Sequence, residues 1–82
     1  MSHVPHDLHA EFPQDAEVLH SLKTGNSHFA ALAERYHGVN REIHRIDSGV
    51  EAASDDHVEQ LKRQRLAMLD EVSAMIAKAR QP

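Results

Sequence analysis

Two Glu-x-x-His pairs stand out as residues able to do chemistry: Glu17-Val18-Leu19-His20 and Glu34-Arg35-Tyr36-His37. Two such pairs with two further Glu build di-metal centres in helical bundles, because residues three apart on a helix project from one face into the core. Here Glu34 falls opposite the apolar side of its helix and His37 on the flank, while the first pair sits on a helix too short to form a bundle wall. Solvated helix faces are the expectation. His3, His6 and His9 have a spacing that lets neutral imidazoles chelate Zn²⁺, Ni²⁺ or Cu²⁺ on a helix. Pro5 and the lack of a supporting core argue against a preformed site there. His37 and His44 share one side of a long helix beside Arg41 and Arg45, so clustered protonation can tie stability or assembly to pH. Separate exposed imidazoles are the plainer reading.

Lys62, Arg63 and Arg65, with Arg35, Arg41 and Arg45, suggest a basic helix edge and hence a nucleic-acid-associated regulator. The formal charge of −4, the interspersed Glu42, Glu59 and Glu71, and the lack of an exposed aromatic for base stacking all weigh against it. Eight His soften that argument at mildly acidic pH. With no Cys, disulfides and thiol chemistry are excluded. The Ser residues lie in caps, turns and helix faces without an oriented His–acid pair, and three isolated Gly make no phosphate-cradling loop. A two-helix rod also encloses no dry cavity in which to shift a pKa. The expectation is a non-enzyme with no catalytic, cofactor-binding or metal-binding residues and no cofactor.

The elements that position these groups follow from periodicity. Phe29, Leu32, Tyr36, Val39, Ile43 and Ile46, continued by Val50, recur in alternating steps of 3 and 4, a heptad seam. Such a narrow stripe predicts a long helix over residues 27–47 packed on one partner helix. Gly38 sits in its middle, away from the seam, at a cost of about 1 kcal/mol relative to Ala. Before it, Pro13, Asp15 and Glu17 open a short helix over residues 14–23, with Val18, Leu19 and Leu22 on one side. Gly25 is the natural left-handed cap, and Asn26 or Ser27 caps the next helix. Ser48-Gly49 begins a turn, and Ser54 or Asp55 (or a capping box from Asp56 and Glu59) starts a last helix over residues 55–79. Residues 1–12 read as a flexible tail, and residues 13–82 as a single helical domain.

An antiparallel pairing tests this hairpin. With Ile46 opposite Val58, Ile43 meets Leu61, Val39 meets Arg65, Tyr36 meets Met68, Leu32 meets Val72 and Phe29 meets Met75. Arg65 can lay its methylenes on Val39 and carry its charge to the edge. Leu66, Leu69 and Ile76 form a second apolar stripe that two helices alone leave in water. Either the short helix covers it, or a second copy does, making a dimeric four-helix bundle. The dimer is the favoured expectation, with another helical protein as an alternative occupant.

The run His28-Phe29-Ala30-Ala31-Leu32, then Tyr36-His37 and Glu42-Ile43-His44-Arg45-Ile46, resembles the YdcH-like family of small bacterial proteins. So does Glu59-Gln60-Leu61-Lys62-Arg63-Gln64-Arg65-Leu66-Ala67-Met68-Leu69-Asp70-Glu71, and the similarity extends from about Ala16 to Ile76. The resemblance implies an all-α hairpin, a bacterial cytosolic setting and no assigned activity. No apolar run approaches the ~20 residues that span a bilayer, and residues 1–12 lack a signal pattern, so a cytoplasmic protein is expected. Residues and resemblance together predict an all-α, coiled-coil-like antiparallel hairpin. Its expected role is interaction or assembly through the Leu66/Leu69/Ile76 stripe, without membrane contact.

Overall fold

The computed structural model describes residues 8–80. The chain folds as α1 (Leu8–Glu11), a 3-10 turn (Pro13–Asp15), α2 (Ala16–Gly25), α3 (Ser27–Asp47) and α4 (Asp55–Arg80), with no strand among the described residues. It is an all-α protein in which α3 and α4 pack against each other along their length. Three cross-helix pairs show the antiparallel sense. His28 Nε2 lies 2.8 Å from Glu71 Oε2, Arg65 Nη1 donates to Asn40 Oδ1 at 3.0 Å, and His57 Nε2 lies 3.0 Å from Glu42 Oε2.

Asn26 separates α2 from α3 and serves both. Its extended backbone (φ −139°, ψ 106°) stops α2 while its N–H still donates to Leu22 O at 2.9 Å. Its side-chain oxygen then accepts from Phe29 N at 3.0 Å, satisfying one free amide of α3. The expectation of a left-handed Gly25 fails here: Gly25 is the last residue of α2, and an extended Asn does the work of the cap. The left-handed glycine is Gly49, at φ +84°. Its N–H donates to Ile46 O at 3.1 Å and Val50 N–H to Arg45 O at 3.0 Å, the paired bonds of a Schellman motif. That reversal ends the seam at Ile46. Val50, expected to continue it, is 76% exposed. Ser54 starts α4, its Oγ accepting from His57 N at 3.1 Å, with Asp55 and Asp56 in the positive first turn.

The core lies at the open end of the hairpin. Leu8, Leu19, Phe29, Leu32, Ala33, Tyr36, Val72 and Ile76 form one buried cluster, with Phe12, Val18, Leu22, Met68, Leu69 and Met75 packed on it. Toward the turn only Ile43 and Leu61 are fully buried, and Val39, Ile46 and Val58 are half-buried. Between these apolar zones lies a polar layer, the buried Asn40 with Arg65. The outward path over Val39 that the sequence predicts for the Arg65 charge is not taken; its guanidinium turns toward Asn40.

Two expectations change because the N-terminal segment folds back. The tail predicted for residues 1–12 fails at its C-terminal end: Leu8 is 4% exposed and Phe12 packs on the core. Leu8 and Phe12 are four apart, so one helical turn turns both toward the hairpin. A hydrogen bond from Arg80 to the buried Asp15 then ties the start of α2 to the end of α4. The Leu66/Leu69/Ile76 stripe is likewise not left in water as a unit. Through Val18, Leu19 and Leu22, α2 lies over its lower part, leaving Ile76 3% and Leu66 61% exposed, with Leu69 half-buried.

Candidate interaction surface

At 3.6 residues per turn, neighbours along a helix are about 100° apart, which places Gly38 roughly 140° around α3 from Ala33. Ala33 belongs to the core that α2 completes. Gly38 therefore belongs to the other side of the hairpin, where α3 and α4 form an open groove of about 620 Å³. Val39, Ala67 and Met68 supply its apolar surface over the buried Leu32, and Arg35, Glu42, Gln64 and Glu71 its polar margin. No residue of α1 or α2 lines it.

The margin charges have distinct surroundings. Glu42 meets His57 and Glu71 meets His28, both exposed pairs across the hairpin. Arg35, between them, makes no ion pair or side-chain hydrogen bond among the described residues. A Cβ built on Gly38 meets nothing within 4 Å, so the fold of this chain does not itself require glycine there. The heptad pattern gives Gly38 a helix-weakening cost and no role. The buried Asn40 and the core Leu8 and Ala33 were also missed. Asn40 directly follows the seam position of Val39, and that adjacency is the one signal in the sequence for a polar group at the helix contact.

The remaining predicted groups are placed as follows. His20 and His37, one from each Glu-x-x-His pair, line a cavity of about 120 Å³ with His9 and Lys23, over Leu8, Leu19, Phe29 and Ala33. Glu17 and Glu34 are exposed. Among the described residues no group of three His, Cys, Asp or Glu is arranged to hold a metal ion. His3 and His6 of the tail triad lie outside the described residues. The ring of His37 packs edge-on to Tyr36 with centroids 5.9 Å apart, whereas His44 is exposed. The cations expected to form a basic edge have different surroundings. Arg65 turns inward, Arg63 pairs with Glu59 at 2.9 Å and Arg45 with Glu51 at 3.1 Å. Lys62 and Arg41 are exposed on different helices. No helix of the described residues is long and apolar enough to cross a membrane.

Comparison with known proteins adds the family. No curated protein and no solved structure matches the chain. The family model described as protein of unknown function DUF465 matches residues 29–76, which covers both arms of the hairpin and the turn between them. The chain therefore belongs to the DUF465 family, of which YdcH-like proteins are also members.

Proposed function

We propose that this chain is a small non-enzymatic interaction protein of the bacterial cytosol, which presents the α2-free face of its hairpin to another helix. One observation carries the reading: the apolar groove between α3 and α4 is open, while the opposite face of the same pair is occupied by the chain's own α2. An amphipathic helix laid in such a groove buries its apolar side against Val39, Ala67 and Met68, the helix-in-groove mode of recognition. Ala67 is exposed within the groove, so Ala67→Asp puts a charge in the contact without disturbing the core. The test compares the tagged wild-type chain with Ala67→Asp in binding assays against purified candidate helices and against itself. Helical partners retained by the wild type should be lost from the variant. Binding unchanged by Ala67→Asp would overturn the reading.

The alternative, a nucleic-acid-associated regulator, draws support from exposed Arg41 and Lys62. It predicts a salt-sensitive shift of DNA or RNA that Arg41→Glu and Lys62→Glu abolish, and that Ala67→Asp leaves intact. Pairing of Arg63 and Arg45 with neighbouring carboxylates makes this the weaker of the two.

A further inference from the structure

The groove carries a symmetry that its apolar content alone does not. On α3, Arg35 and Glu42 flank Gly38-Val39; on α4, Gln64 and Glu71 flank Ala67-Met68. Both central pairs line the same groove, and the Asn40–Arg65 contact places them within about one helical turn of each other along the antiparallel hairpin. A two-fold axis in the plane of the groove, perpendicular to the helices at that level, lays α3 antiparallel on α3 of a second copy. It then sets Arg35 against Glu42 of the second copy, twice by symmetry, and Gln64 against Glu71 of the second copy. An isologous contact demands such self-complementarity, because each patch meets itself reversed. Arg35, without an ion pair among the described residues, gains a carboxylate in this arrangement.

Gly38 is the independent observation. A mid-helix glycine weakens its helix, yet a Cβ there meets open space in this chain. Its missing side chain serves a close approach only if another backbone comes to it from outside. Small residues at a crossing point let two helices approach more closely than the usual 8–10 Å.

We propose that the α3–α4 groove is a homodimer interface, in which two copies cross antiparallel at Gly38 and exchange Arg35–Glu42 ion pairs. This rests on the groove reading above and names its occupant as a second copy of the chain. It differs from a dimer through the Leu66/Leu69/Ile76 stripe, whose Ile76 is already buried by the chain's own α2.

The test is sedimentation velocity and light scattering on the full chain over a concentration series, with thermal melts at the most dilute point. The wild type should dimerise in the micromolar range. Gly38→Ala should melt higher than wild type when dilute, because Ala favours the helix, and yet raise the dimer dissociation constant about tenfold or more. Arg35→Glu and Glu42→Arg should each weaken the dimer, and the double charge swap should restore it. Opposite movement of helix stability and assembly is a result no purely structural role for Gly38 produces. A wild type that stays monomeric at hundreds of micromolar overturns the homodimer; partner binding lost on Ala67→Asp would then leave the groove reading standing. A dimer indifferent to Gly38→Ala and to both charge changes, but dissolved by Leu66→Asp, overturns both.

Discussion

The Asn40–Arg65 layer offers the sharpest test of how this hairpin holds its register. Asn40 is 3% exposed and its Oδ1 accepts from Arg65 Nη1 at 3.0 Å, in a layer bounded by apolar contacts on both sides. No buried side-chain polar atom among the described residues lacks a hydrogen-bond partner, so removing a donor here breaks a satisfied arrangement. A hydrogen bond to a charged group contributes about 1.5–3 kcal/mol, and half-burial of Arg65 puts this one near the lower end, since water can reach the guanidinium. Arg65→Met keeps an unbranched apolar stem but removes the guanidinium donor from the amide oxygen, at a cost of about 1–2 kcal/mol. In urea, with a slope of about 1 kcal/mol/M for a chain this small, the midpoint should fall by roughly 1–2 M. Asn40→Leu combined with Arg65→Met replaces the polar layer by an apolar one of similar shape. The double variant should then be more stable than Arg65→Met alone, because the buried amide that lost its charged donor is gone. The four proteins form a double-mutant cycle, read at one fixed protein concentration. Coupling of about 1 kcal/mol is expected; effects that add within ~0.3 kcal/mol would show that the two side chains do not act together, and the polar layer would lose its assigned role.

Three further outcomes follow from the packing. Leu8→Ala should destabilise by about 2 kcal/mol, less than at a central site because the edge of the core can collapse; a chain truncated to begin at residue 13 should show a similar loss, and an unchanged melting temperature would contradict docking of α1. Ile76→Ala should cost about 2–4 kcal/mol whereas Leu66→Ser changes the monomer by less than ~0.5 kcal/mol, a contrast read by urea denaturation that equal effects would refute. Gly49→Ala forces an L side chain into φ +84° and should cost about 1 kcal/mol or more, while Gly38→Ala, in a regular helix with free space, should stabilise the dilute monomer; the same sign for both would be inconsistent with these backbones.

The helices and their antiparallel order were legible in the chain itself because both depend on local information. The alternating steps of 3 and 4 from Phe29 to Ile46 specify a helix and the one side it buries, and they match α3 from Ser27 to Asp47. The Ser48-Gly49 break and the Ser54 cap place the turn within a residue or two. Resemblance to YdcH-like proteins pointed to the family that the match over residues 29–76 identifies. Where expectation and structure part, the missing information is long-range. Whether α2 or a second copy covers Ile76 cannot be read from the stripe, because any apolar surface of the right width satisfies it. The chain's own helix does so here, held by Leu8, Leu19 and the Asp15–Arg80 link.

The candidate surface divides along the same line. Sequence alone determined that this protein is helical, that α3 buries a heptad seam against α4, and that Gly38 weakens α3. Tertiary structure decided which side of the hairpin remains open, and so brought Gly38, Arg35 and Ala67, which share no pattern in the sequence, into the lining of one groove. The physical reason is that periodicity reports the face a helix buries, whereas the number and origin of the partners covering it depend on contacts between residues far apart in the chain.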